Sequence, residues 1–124
     1  MTTESDAVSA LLPLKPQDYM ILFVLLAGEF HGYRMVKEIA KQSDGRVRLE
    51  AGNLYRSIRR MIKQGLLEES DRRPVADADD ERRRYYAITD FGRRVLRAET
   101  ARMKLLVTAA DAAGGLSNLS DKNS

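Results

Sequence analysis

Cysteine is absent from the sequence, and histidine occurs once. Without cysteine the chain can form neither disulfides nor thiolate metal sites, which fits an intracellular protein. The single histidine, His31, lacks the further His or Cys ligands of a metal site, so we expect a hydrogen-bonding residue at a helix entry. Cysteine nucleophiles, an oriented histidine and a glycine-rich phosphate loop are also missing. We therefore expect no enzyme, no metal and no cofactor.

Long apolar runs are missing as well. The longest, from Tyr19 to Ala27, is far shorter than the roughly 20 residues that span a bilayer. The N-terminus carries Glu4 and Asp6 and no basic segment, which argues against a signal peptide. A length of 124 residues with 44% hydrophobic and 31% charged residues predicts one soluble globular domain. We expect it in the cytoplasm, without a membrane partner.

The most informative segment runs from residue 51 to residue 65. At helical spacing its apolar residues share one side, namely Leu54, Tyr55, Ile58, Met61 and Ile62. Its cations share the opposite side, namely Arg56, Arg59, Arg60 and Lys63. Gly52 and Gly65 would bound this helix, because chain reversals favour residues that tolerate positive φ.

The cationic side of this helix has no acid between Glu50 and Glu68. An ordinary exposed helix mixes charge signs, because acid–base pairs four residues apart stabilise it. A face of one sign is tolerated when a polyanion covers it, and a helix in a DNA major groove has this division. Two alternatives stay open: an anionic membrane surface, and a simple solvated face.

The preceding segments predict a helix-turn-helix. Residues 1–12 are small and polar, and we expect a flexible arm. A helix that begins at Pro16 is apolar on all sides from Tyr19 to Ala27, which predicts a central position. A second helix follows His31 and ends near the Ser43–Gly45 turn. Two helices joined by a glycine-containing connection, the second one basic, are typical of DNA-binding domains.

Two short strands follow the cationic helix, at Leu66–Glu69 and Arg84–Ile88. The residues between them, 70–83, read as a long hairpin tip. A two-stranded hairpin is marginal in water, so we expect it to pack on the helices through Leu66, Tyr86 and Ile88. The fold class is therefore mainly α with a small β-hairpin, a winged helix-turn-helix over residues 13–89.

A last helix would span residues 90–113, capped by Thr89. Its heptad-spaced residues would form a dimer interface: Leu96, Met103, Leu106, Ala110 and Ala113. Packing of this helix back on its own domain is the alternative. Residues 114–124 read as a disordered tail.

Four motifs in order resemble the PadR family of bacterial transcriptional regulators. They are His31-Gly32-Tyr33 with Lys37-Glu38-Ile39, then Gly52-x-Leu54-Tyr55, then Gly65-Leu66-Leu67, and finally Arg83-Arg84-Tyr85-Tyr86-x-Ile88-Thr89-x-x-Gly92. The resemblance implies a winged-helix DNA-binding domain with a C-terminal dimerisation helix, of the short branch with one such helix. It further implies a homodimeric repressor on a palindromic operator, in the bacterial cytoplasm.

Residues outside the cationic face are candidates for further DNA contacts. The hydroxyl of Tyr33 could reach a phosphate, with packing as the alternative. Asn53 could bind adenine or act as an N-cap. Tyr55 lies on the apolar side, where core packing is favoured, although the resemblance places its hydroxyl near the DNA. At the wing base, backbone contacts compete with ion pairs inside the hairpin for Arg82, Arg83 and Arg84.

Two further functions stay open. Members of the family often respond to small aromatic or drug-like ligands near the dimer interface, which implies a phenolic or multidrug sensor that releases DNA. Such a pocket would lie between the first and last helices, lined by Tyr19, Phe23, Met103 and Leu106. Alternatively, the basic face could dock on an acidic protein, as a winged-helix association module.

Overall fold

The computed structural model describes residues 3–70 and 84–114. The helices are α1 (Glu4–Ala10), α2 (Pro16–Val24), α3 (Gly32–Gln42), α4 (Ala51–Lys63) and α5 (Asp90–Ala112), and the strands are β1 (Phe30–His31), β2 (Leu67–Ser70) and β3 (Tyr85–Ile88). A short 3-10 helix, Leu25–Ala27, extends α2. The arrangement is mainly helical with a small antiparallel sheet, as the sequence predicted.

The core forms around α2, whose side chains Ile21 and Leu22 are fully buried. Helices α3 and α5 both pack on α2, and α4 packs on α3. The apolar character of α2 on most sides has a direct cause in this central position. The cationic helix α4 is thus supported by a layer of two helices.

The sheet has three strands in the order β1-β3-β2, where the sequence predicted a two-stranded hairpin. The extra strand, β1, pairs Phe30 with Tyr86 and His31 with Tyr85. Two residues are too short for a detectable alternation, so the sequence alone does not reveal this strand. The predicted hairpin tip lies outside the described residues, except for Ser70.

The expected N-terminal arm over residues 1–12 is wrong for its described part, which contains α1. The Thr3 side chain accepts a hydrogen bond from the Asp6 N–H, and Asp6 in turn accepts from the Thr3 N–H. This reciprocal capping box stabilises a helix start. Val8 packs partly buried on the core, and Glu4 forms an ion pair with Arg94 of α5. Local capping and long-range contacts together order this segment.

Helix α5 begins at the predicted cap, since the Thr89 side chain accepts a hydrogen bond from the Gly92 N–H. Its first half packs on its own domain, and Leu96 is only 5% exposed. The prediction of Leu96 as a dimer-interface residue is therefore wrong, because the chain's own core covers it. Residues 104–114 are exposed. The predicted tail, except Gly114, lies outside the described residues.

Glu99 interrupts the apolar heptad pattern of α5 because its carboxylate has partners inside the domain. Its side chain is 1% exposed, accepts a 2.7 Å hydrogen bond from the Leu14 N–H and pairs with Arg102. The hydrogen bond from Arg102 lowers the pKa of Glu99, with a further contribution from the Leu14 N–H. Glu99 thereby ties the segment before α2 to α5.

None of the helices in the described part of the chain combines the length and apolar character needed to cross a lipid bilayer.

Candidate nucleic-acid interface

The buried side of α4 is narrower than the sequence pattern predicted. Leu54, Ile58 and Met61 are 0–1% exposed, and Ser57 joins them at 3%. Tyr55 and Ile62, which were assigned to the apolar side, are 40% and 37% exposed. Core packing as the favoured role of Tyr55 is thus wrong: its ring lies at the edge of α4.

The N-terminus of α4 also differs from the prediction. The helix begins at Ala51 with Glu50 as the N-cap residue, so Gly52 lies in its first turn rather than before it. The alternative role of Asn53 as an N-cap is therefore wrong. The Asn53 side-chain oxygen instead accepts a hydrogen bond from the guanidinium of Arg56 one turn later.

Four exposed residues opposite the buried side chains form one line along α4. Gly52, Arg56, Arg59 and Lys63 follow each other at i, i+4, i+7 and i+11, and all four are exposed. At about 100° per residue these positions fall opposite Leu54 and the other buried side chains. We call these four residues the outward line. Its charged members are all cations.

Arg60 does not belong to the outward line. Its guanidinium donates a 2.9 Å hydrogen bond to the Asp18 carboxylate, and the two side chains are 40% and 5% exposed. This hydrogen bond raises the pKa of Arg60 above its usual value. A carboxylate of the same chain therefore compensates the charge of Arg60, and a contact of Arg60 with DNA stays a prediction.

Helix α2 thereby holds α4 through two adjacent residues. Besides the Asp18–Arg60 pair, the Gln17 amide donates a 3.2 Å hydrogen bond to the Ser57 hydroxyl. The sequence analysis missed both contacts. Asp18 in the first turn of a helix is explained locally, because an acid there complements the positive helix end. The sequence signal for the second contact is Ser57, a polar residue among the apolar side chains of α4.

Tyr33 of α3 and Tyr55 of α4 lie near each other beside the start of α4. Tyr33 is 59% exposed, and its ring contacts the Lys37 ammonium at 4.6 Å. A cleft of about 280 Å³ separates Tyr33 from Tyr55. Gly32 permits the close approach of the two helices, since a Cβ there would lie 2.6 Å from the Tyr55 hydroxyl. Both hydroxyl-bearing rings therefore border the helix that carries the outward line.

The start of α3 confirms the expected role of His31. The Arg34 N–H donates a 3.2 Å hydrogen bond to Nδ1 of His31, which is the N-cap residue of the helix. The imidazole thus satisfies one of the backbone donors that every helix start leaves open. This cap fixes the start of α3 and with it the position of Tyr33 in the first turn.

The wing side is described only at its base. Arg84 forms a 3.5 Å ion pair with Glu69 across the hairpin, which is the alternative foreseen for the wing arginines. Both side chains are largely exposed, so the pair contributes little and the guanidinium can exchange partners. Nearby, burial raises the pKa of the Tyr86 hydroxyl. The other predicted wing residues, Arg82 and Arg83, lie outside the described residues.

Two residues of the predicted effector pocket, Tyr19 and Phe23, have different surroundings in the described part of the chain. Tyr19 forms a 2.7 Å hydroxyl–hydroxyl hydrogen bond with Thr100. Phe23 borders a cavity of about 320 Å³ that faces α3. A cavity of about 450 Å³ lies beside Leu26 and α5, and neither Met103 nor Leu106 lines it. A pocket formed by Tyr19, Phe23, Met103 and Leu106 together stays a prediction.

The basic helix α4 packs on α3, and the hairpin lies on its other side. This is the arrangement that the motifs predicted. The family model of the "Transcriptional regulator PadR-like family" matches residues 21–98. The chain belongs to the PadR-like family. This is a family of transcriptional regulators, not of enzymes.

Solved structures of PadR-like proteins share the fold. A PadR family transcriptional regulator from Eggerthella lenta DSM 2243 is 28% identical, with a TM-score of 0.61 over 90% of this chain and 95% of that one. A PadR-like regulator from Bacillus cereus strain ATCC 14579 is 22% identical, with a TM-score of 0.65 over 87% and 95% of the two chains.

A third PadR structure is a complex with DNA. Bacillus subtilis PadR, solved in complex with operator DNA, is 18% identical, with a TM-score of 0.57 over 69% of this chain and 46% of that one. At this identity the likeness concerns the fold alone. Comparison with the curated proteins gives no match.

Proposed function

We propose that this PadR-like protein is a homodimeric repressor that binds a palindromic operator in the bacterial cytoplasm through α4. The outward line is the observation that supports the proposal most directly. Arg56, Arg59 and Lys63 project to one side of a helix whose opposite side is fixed in the core. The operator complex of Bacillus subtilis PadR adds support, since that protein shares the fold.

The dimensions of α4 suit the major groove. An α-helix with its side chains is about 10–12 Å wide, and the groove of B-DNA is about 12 Å wide. Arginine donates two parallel hydrogen bonds to guanine, which gives base discrimination, whereas lysine and arginine contacts to phosphates give affinity. Asn53 also lies on α4, and its side-chain amide is a candidate for contacts to adenine.

The flanking residues have supporting roles in this proposal. The Tyr33 and Tyr55 hydroxyls border α4 on one side and are suited to phosphate contacts. Arg84 would exchange Glu69 for the DNA backbone, because an exposed ion pair costs little to break. Arg82 and Arg83 stay predictions of the same kind.

Salt dependence of duplex binding tests the proposal. If the three cations of the outward line contact phosphates in both subunits, log K should fall with log salt with a slope of about −5, from about 0.9 per contact. The measurement is fluorescence anisotropy with genomic fragments selected for binding. Indifference to all duplexes at low salt would contradict DNA binding and favour an acidic protein partner instead.

Homodimerisation has its own support in α5. Leu105, Leu106 and Val107 are 71%, 55% and 60% exposed, so the second half of the helix presents apolar side chains that its own domain leaves uncovered. Contiguous exposed apolar surface of this kind marks interaction sites. The predicted interface residues Met103, Leu106, Ala110 and Ala113 lie in or next to this half. A second copy of the chain would place two α4 helices about one DNA turn apart.

A ligand-responsive role stays a prediction, and a different cavity is a candidate for the ligand site. The cavity beside Leu26 has a volume of about 450 Å³ and is bordered by Arg93, Arg97 and Lys104. Ligand sites usually have about 300–1,000 Å³. Its cationic rim is better suited to an anionic aromatic molecule than to a cationic drug.

A further inference from the structure

A second cationic surface lies beside α4, on residues that the sequence analysis did not assign to DNA. An open groove of about 470 Å³ is lined by Lys15 from the start of α2 and by Arg46 and Arg48 from the connection between α3 and α4. Among the described residues, the charged ones that line this groove are all cations. We call these three side chains the flank cluster.

The connection that carries two of these cations has a defined conformation. The Val47 N–H donates a 2.9 Å hydrogen bond to the Ser43 hydroxyl, and the Arg48 guanidinium donates a 3.2 Å hydrogen bond to the Gly45 carbonyl. Leu49 then anchors the segment in the core at 8% exposure. The backbone that carries Arg46 and Arg48 is therefore already ordered, so DNA binding does not have to order a long free loop.

The flank cluster adjoins one long edge of α4. Gln17 lines the groove and also contacts Ser57 of α4, and its neighbour Asp18 contacts Arg60. The opposite edge of α4 borders a cavity shared by Arg59, Glu69 and Arg84. The outward line thus runs between the wing base, where Arg84 pairs with Glu69, and the flank cluster on the other side.

We propose that the flank cluster binds the phosphate backbone of DNA on the margin of the major groove that lies opposite the wing. The inference rests on the proposed function of α4. A helix about 10–12 Å wide nearly fills a groove about 12 Å wide, so both phosphate strands pass close to the protein surfaces beside the helix. Arg60, whose charge Asp18 compensates, lies on the same edge and leaves the phosphate contacts there to Lys15, Arg46 and Arg48.

The test compares two variants that each lose two positive charges. Lys15→Gln/Arg46→Gln removes charge from the flank cluster but keeps Arg48 and its hydrogen bond. Lys41→Gln/Arg94→Gln removes one lysine and one arginine charge from exposed positions of α3 and the first half of α5 and serves as the matched control. Each is titrated by anisotropy against a fluorescein-labelled mixed-sequence duplex about three helical turns long, from low to moderate salt.

We expect the flank variant to flatten the slope of log K against log salt by about 1.8 per bound protomer, from about 0.9 per lost contact. The control variant should keep the wild-type slope. The conservative variant Lys15→Arg/Arg46→Lys should also keep it, because it preserves both charges. Thermal melts followed by circular dichroism establish that all variants are folded.

The outcomes separate this inference from the function on which it rests. A wild-type protein that ignores the duplex at low salt overturns the proposed function itself. A wild-type protein that binds, with equal slopes for the flank and control variants, overturns the flank cluster alone and leaves α4 as the binding element.

Discussion

Gly52 illustrates how a single residue can be explained by a partner rather than by the fold. It lies in the first turn of α4 without a positive φ, and a Cβ added there would meet no atom within 4 Å. Glycine in a helix costs about 1 kcal/mol relative to alanine. Since neither the backbone nor the packing requires it, the open space is available for an approaching DNA strand.

Gly52→Ala should therefore separate stability from binding. We expect the free energy of unfolding to rise by up to about 1 kcal/mol, because alanine restricts the unfolded chain and favours the helix. DNA affinity should fall, because the added methyl group keeps the phosphate strand away from the helix backbone. Denaturant unfolding and anisotropy measure the two quantities on the same samples.

Ala51→Gly, the reverse change one residue earlier, is the control for a simple propensity effect. It should lower stability without a steric effect on the DNA. An alanine at position 52 that gains stability and keeps full affinity would show that nothing approaches this position closely.

At the level of the element, polar contacts hold α4 in position in addition to the burial of its apolar side. Ser57 and Arg60 connect α4 to Gln17 and Asp18 in the first turn of α2. Gln17 is partly buried there, and Asp18 is buried. Hydrogen bonds to charged groups contribute about 1.5–3 kcal/mol, with less for a pair that solvent reaches. The helix is therefore fixed against both translation and rotation on its support.

Arg60→Met and Lys63→Met should have opposite consequences. Loss of Arg60 leaves the buried Asp18 carboxylate without this partner, so we expect a destabilisation of about 1–2 kcal/mol with little change in the salt slope of DNA binding. Lys63 is exposed on the outward line, so its replacement should change stability by less than about 0.5 kcal/mol and flatten the salt slope. Urea unfolding and anisotropy distinguish the two.

A loss of stability without a change in salt slope is expected only if Arg60 positions α4 and does not contact a phosphate. If Arg60→Met flattened the salt slope as much as Lys63→Met did, Arg60 would be a direct phosphate contact. The original assignment from the sequence would then be correct.

At the level of the whole molecule, the two halves of α5 differ in their surroundings. Val95, Leu96 and Glu99 are buried in the chain's own domain, whereas the residues after 103 are exposed. Helix α1 contributes to the same attachment through the Glu4–Arg94 pair. The second half of α5 is left for a second copy of the chain, which we propose as its partner.

Leu106→Glu should yield a folded monomer, because the side chain is 55% exposed in the single chain and its replacement leaves the domain core intact. Light scattering after size exclusion measures the mass, and circular dichroism the fold. Thr108→Glu, an equally charged change two residues later at an exposed position, is the control and should stay dimeric. A wild-type protein that is monomeric at all concentrations would contradict the dimer.

Local sequence patterns determined much of this protein. The caps at His31 and Thr89, the turn at Gly65 and the amphipathic character of α4 follow from interactions over three or four residues, whose geometry is the same in every helix. The strands β2 and β3 were each predicted within one residue of their observed bounds. The order of the motifs also indicated the family.

Only the tertiary structure decided which surface residues share an environment. Asp18 compensates Arg60, Leu14 satisfies Glu99, and Lys15 joins Arg46 and Arg48, although each partnership spans a long stretch of sequence. The same holds for the two-residue strand β1 and for α1, which needs its contacts with α5. Helical periodicity fixes the direction of a side chain on its own helix, but its partner depends on how separate elements pack, and that information is not local in the sequence.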